Sequence, residues 1–143
     1  NTRKAKMDIV LIIGRVLFSL IFVASGVAHL TKLEAMTGYA QYKKVPAAKL
    51  SVIATGLMLI IGGLYVALGI YADLGALLLA IFLLLSAFKM HDFWTISDEQ
   101  AKQSEMTSFM KNLALAGASL IIFVLVGTGG EFGPTITEGI FNL

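Results

Sequence analysis

The chemistry available to this chain rests on very few side chains. His91, Asp92 and Trp94 crowd into FKMHDFWTIS, residues 88–97, directly after a long apolar run. His29 lies near the end of an earlier apolar run, Arg15 sits inside that run, and Lys111 and Asn112 open a later one. Two histidines could ligate a haem or a metal, or carry protons near neutral pH. A metal would need further ligands, which only Glu34, Asp92 and Glu105 are placed to offer, and nothing fixes the histidines at a known ligand spacing. Histidine at a helix C-terminus also interacts favourably with the macrodipole, so structural placement outweighs haem or metal ligation. Trp94 reads first as an aromatic-belt residue at headgroup depth. Its sharper reading is a wall for a quinone headgroup, with His91 or Asp92 as hydrogen-bond partner and proton acceptor. Asn112 either caps and links the start of a helix or closes a polar pocket against the His91 segment.

The elements that hold these residues follow from hydropathy. The 143 residues are 57% hydrophobic and 14% charged, well below the quarter that soluble domains spend on charge. A hydrocarbon layer of about 30 Å is spanned by roughly 20 apolar residues as helix. Four stretches qualify, at about 9–30, 50–72, 74–90 and 112–129, and none shows the polar face of a soluble helix. The expectation is an all-α membrane protein, a single transmembrane domain over 1–143 built as a four-transmembrane-helix bundle. The first stretch follows Arg3, Lys4 and Lys6 but is too long for a signal h-region and has no A-x-A-type site after it, so it is expected to be a retained helix.

Two connections are long and polar, residues 31–49 and 95–109, and both fall on one membrane face. The first carries Tyr39, Tyr42, Lys43 and Lys44, which suit the headgroup layer, and ends at Pro46, expected in the first turn of the next helix. The second is acidic, long enough for a short surface helix. Between them a tight hairpin turns over at Asp73. His29, His91, Trp94 and Asn112 therefore share one face. Arg15 lies roughly 10 Å inside the opposite one. Lipid-buried arginine costs about 2.5–3.5 kcal/mol, so it must snorkel, bind carbonyls at the hairpin turn, pair with Asp73, or hold a quinone carbonyl or lipid headgroup. Lysines in the long connections outnumber the basic residues of the N-terminal tail, which leans toward a cytoplasmic location for that face.

Other functions lack their signatures. No cysteine is present, and the net charge of +2 is scattered, which gives no basic patch for nucleic acid. Phosphate loops, nucleophile elbows and paired intramembrane carboxylates are missing. Small residues do recur: Thr55, Gly62 and Gly69 with Gly56 and Gly63, then Ala72, Gly75, Ala76 and Ala80, then Ala114, Gly117 and Ala118. Such stripes let helix backbones approach in lipid, either within the bundle or toward another subunit.

GRVLFSLIFVASGVAHL, KKVP, IIGGLYVALG, ALLLAIFLL, HDFW and FMKNLALAGASLI occur in the order seen in the DoxX family of four-helix membrane proteins. The sequence resembles that family from Gly14 to about Ile121. The resemblance implies a bacterial inner-membrane protein, a small accessory or anchoring subunit of a redox-linked complex. The alternative it implies is a quinone-binding subunit of the thiosulfate–quinone oxidoreductase type. Its polar positions here are Arg15, His91, Trp94, Lys111 and Asn112, with His29 standing where many relatives have lysine. Leu59 stands where many have an acidic residue, and Asp73 replaces a common arginine. The exchange at Leu59 removes an intramembrane proton-handling group.

Overall fold

The computed structural model describes residues 1–143 and is all-helical. Helix α1 spans Thr2–Thr31, α2 Leu33–Tyr42, α3 Ala48–Leu68, α4 Ala72–Met90 and α5 Glu99–Gly127, with a 3-10 turn at Phe93–Thr95. Four of them, all but α2, are long and apolar enough to cross a membrane. The protein is an integral membrane protein, and α1 lies along α3, α3 along α4 and α4 along α5.

Close approach at glycine sets these contacts. A Cβ on Gly26 would meet the Gly56 carbonyl oxygen at 2.5 Å, and one on Gly75 would meet the Gly62 carbonyl oxygen at 2.9 Å. The small-residue stripes of α3 and the first turns of α4 are thus spent on packing inside the bundle. The core that closes over them comprises Phe22, Leu59, Val66, Leu79, Leu83, Ala116 and Phe132. Leucine, isoleucine and valine remain exposed along α1, α3, α4 and α5, a surface that lipid covers.

Helix limits differ from the hydropathy reading in ways that polar chemistry explains. The α3–α4 turn lies at Gly69–Tyr71 rather than at Asp73, because Gly69 takes the left-handed conformation (φ 69°) that ends α3. Asp73 falls inside the first turn of α4. Pro46 lies ahead of α3, not in its first turn: Ala47 is the N-cap, and the Pro46 carbonyl accepts from the Ser51 hydroxyl. The first polar connection contains a helix of its own, α2, seated by Leu33, Met36 and Ala40 against Ala48 and Val52. The second is mostly no separate helix. Asp98 caps α5 by accepting from the Ala101 N–H at 2.9 Å, and the helix runs unbroken into the membrane. At about 1.5 Å per residue α5 is roughly 43 Å long, so its first turns stand outside the hydrocarbon.

The C-terminal segment, residues 128–143, folds back across the end of the bundle bearing the α3–α4 turn. The N–H groups of Ile136 and Thr137 donate to the Gly69 carbonyl at 3.0 Å. Asp73, fully buried, accepts from the N–H groups of Leu74, Ile140 and Phe141. Phe132 enters the core and Phe141 meets Phe123 edge-on.

Candidate functional site

The polar side chains gather at the other end, where α1, α2 and α4 finish and α5 begins. His91 caps α4, and its Nδ1 lies 3.2 Å from Glu105 Oε2, across the turn and two helical turns into α5. Asp92 accepts from the Lys43 ammonium of α2, and the Thr95 hydroxyl donates to the Asp92 carbonyl at 2.8 Å. The bridge raises the Lys43 pKa above its ordinary 10.5, because the hydrogen bond to Asp92 favours the charged form. The same bond holds the Asp92 carboxyl below its ordinary 3.8, so the stabilisation is present across the range from 3.8 to 10.5 and is lost as pH climbs past the raised Lys43 value or falls through the lowered Asp92 one. Tyr39 completes the tie by donating to the Met90 carbonyl at 3.3 Å. Lys43 also lies 5.7 and 5.9 Å from the Tyr39 and Tyr42 ring centres.

Trp94 packs edge-on to Phe109 at 5.7 Å and against Phe93 and Phe88, yet half of it stays exposed. That is the placement of a ring in the headgroup layer. One turn after Phe109, Asn112 is 4% exposed, and no hydrogen bond joins its amide to another group of the chain. His29 is held apart from this cluster. Its Nδ1 lies 3.1 Å from the Val52 carbonyl oxygen and 3.2 Å from Thr55 Oγ1, while its ring sits edge-on to Phe82 at 6.1 Å. The Thr55 hydroxyl donates to the Ser51 carbonyl at 2.7 Å, so the histidine is the donor to Val52 when Nδ1 carries the proton.

Arg15 stands at the far end of the membrane from all of these. It donates to the carbonyls of Val66 (3.2 Å), Ala67 (3.0 Å), Phe132 (3.0 Å) and Pro134, and its guanidinium carbon lies 4.7 Å from the Phe132 ring centre. The hydrogen bonds to the hairpin carbonyls are as expected for the carbonyl option. The pairing with Asp73 is not seen, because backbone N–H groups of the tail occupy that carboxylate. Arg15 answers the negative end of α3 and Asp73 the positive end of α4.

Of the five residues singled out in the sequence, the fold brings His91, Trp94 and Asn112 to neighbouring turns of one helix exit. It leaves His29 deeper on α1 and Arg15 opposite. A quinone needs donors facing two carbonyls. Here His91 is engaged by Glu105, His29 by Val52 and Thr55, and Arg15 by carbonyls, so of these four buried or half-buried residues only Asn112 makes no side-chain hydrogen bond. The sequence put Glu105, Lys43 and Tyr39 on this membrane face but gave no signal for their partners, His91, Asp92 and the Met90 carbonyl, since each is reached across a turn from another helix. A comparison with curated proteins and one with solved structures give no match. Residues 10–92, more than half of the chain, match the family model described as DoxX, and the protein belongs to that family.

Proposed function

We propose that this protein is a small accessory subunit that anchors a redox-linked complex in the membrane, with its partner on the outer face of α5. One observation carries the reading. Gln103, Thr107, Met110, Ala114, Gly117 and Ile121 follow one another at three- and four-residue steps and are all exposed. That face runs from the projecting first turns of α5 down into the apolar part of the same helix. Whereas a Cβ on Gly26, Gly56 or Gly75 would collide, one on Gly117 meets nothing within 4 Å. Small residues admit a partner helix closely, and methionines at the upper end adapt to an irregular surface. A groove of about 450 Å³ lined by Gln103, Met106, Thr107, Met110 and Lys111 opens there. With no cysteine in the chain, thiolate-held redox centres belong to the partner in this reading. We further place the protein in a bacterial inner membrane with the polar helix exit toward the cytoplasm, on the lysine count of the two connections.

The second reading, a quinone-binding subunit with its headgroup pocket at the helix exit, is favoured by one observation, the unpaired amide of Asn112. Native mass spectrometry of the protein released gently from its own membranes separates the two. A stoichiometric protein partner without a small molecule is the expected result. A retained quinone mass, lost in Asn112→Leu, reverses the ranking.

A further inference from the structure

We propose that the cleft between the end of α2 and the exit of α4 binds the phosphate of an anionic phospholipid. The cleft holds about 420 Å³ and is lined by Tyr42, Lys43, Lys44, Lys89, Asp92 and Trp94 among others. Its charge is unbalanced. Asp92 is taken by Lys43, while Lys44 and Lys89 share the cleft with no carboxylate for either. Two ammonium groups on one concave surface repel unless an anion lies between them, and lysine binds phosphate as a point charge. Lys44 is fixed at the rim. Its backbone is left-handed (φ 59°), within a turn closed by Lys44 N–H to Gln41 and Val45 N–H to Ala40.

The position commits the ligand to a lipid. On α4, Phe88 lines the cleft and is 58% exposed, and Leu85, one helical turn below Lys89 on the same face, is 68% exposed. Acyl chains lying on Leu85 and Phe88 bring their own headgroup to Lys89 and Lys44. Trp94 and Tyr42 mark the headgroup depth on either side. The inference is independent of any protein partner on α5.

Trp94 is the chain's only tryptophan, so its fluorescence reports this cleft in the unaltered protein. The full chain is reconstituted in phosphatidylcholine bilayers containing a small fraction of brominated phosphatidylglycerol, or the same fraction of brominated phosphatidylcholine. Quenching by the anionic lipid is expected at lower mole fraction, by about fivefold for each contributing lysine. In Lys44→Asn/Lys89→Gln the two curves should merge, asparagine being tolerant of the left-handed backbone. Lys49→Gln, outside the cleft, and millimolar inorganic phosphate should leave the preference intact. Equal quenching by the two lipids overturns the proposal, as does a preference that survives in the double variant. Loss of preference in Lys49→Gln would reduce it to general surface charge, and loss in inorganic phosphate would make the ligand a soluble anion. Either result overturns the lipid site.

Discussion

Arg15 and Ser19, one turn apart on α1, show how differently a polar group can be treated at depth. The guanidinium is 5% exposed and bonded to carbonyls from α3 and the C-terminal tail, whereas the Ser19 hydroxyl is 3% exposed and has no partner. Hydrogen bonds to a charged group contribute about 1.5–3 kcal/mol each, and an unpaired buried donor costs about 1–3 kcal/mol. Arg15→Leu should therefore lower the thermal unfolding midpoint in detergent and speed proteolysis within residues 128–143. Ser19→Ala should leave that midpoint unchanged or raise it. Both are single-residue predictions read by one melting series. The sequence showed that Arg15 must find partners, and even pointed to the hairpin carbonyls. It could not show Phe132 and Pro134, because backbone carbonyls of a distant segment leave no side-chain pattern. His91 has the same standing at the other end. Its tie to Glu105 is structural in the accessory reading, so His91→Ala should leave turnover of the assembled complex unchanged; a turnover lost with assembly intact would favour the quinone reading.

At the scale of elements, glycine separates packing faces from free ones. Gly26→Leu drives a side chain into the Gly56 carbonyl and Ile60, so α1 and α3 must part, and the yield of folded protein should collapse. Gly117→Leu enters open space and should unfold at or above the wild-type midpoint, since glycine in a helix is worse than most residues by up to about 1 kcal/mol. Equal behaviour of the two variants in a thermal melt would refute this division of faces. Hydropathy located the four spans because lipid demands unbroken apolar length. It misplaced the start of α5, since the turns from Glu99 to Lys111 are helical yet polar, and hydropathy reports depth rather than conformation. The α5 cap at Asp98 was the available local cue. The α2 helix was masked in a similar way, being amphipathic and only ten residues long.

The whole molecule is closed at one end and open along one side. Arg15 and Asp73 lock the tail over the α3–α4 turn, using the ends of two helix dipoles rather than each other. At the opposite end Lys43–Asp92 and His91–Glu105 bind α2, α4 and α5 together. Since the Lys43 pKa is raised and that of Asp92 lowered, α2 should stay docked through neutral and mildly alkaline pH, and on the alkaline side cross-linking of α2 to α4 should fall only above about pH 10.5. The family and the fold class were legible in residues such as Arg15 and HDFW. The candidate site was legible only as a cluster at one exit, because which groups are satisfied there depends on contacts across three helices. That satisfaction turns attention from a reacting pocket to the outer face of α5. The most direct measurement compares the proteins that copurify with wild type and with Gly117→Leu from native membranes, quantified against the amount of this chain. A stoichiometric partner reduced about fivefold or more in the variant, at unchanged amounts of the chain, is the predicted result. The same partner at the same ratio in both preparations would contradict docking on α5.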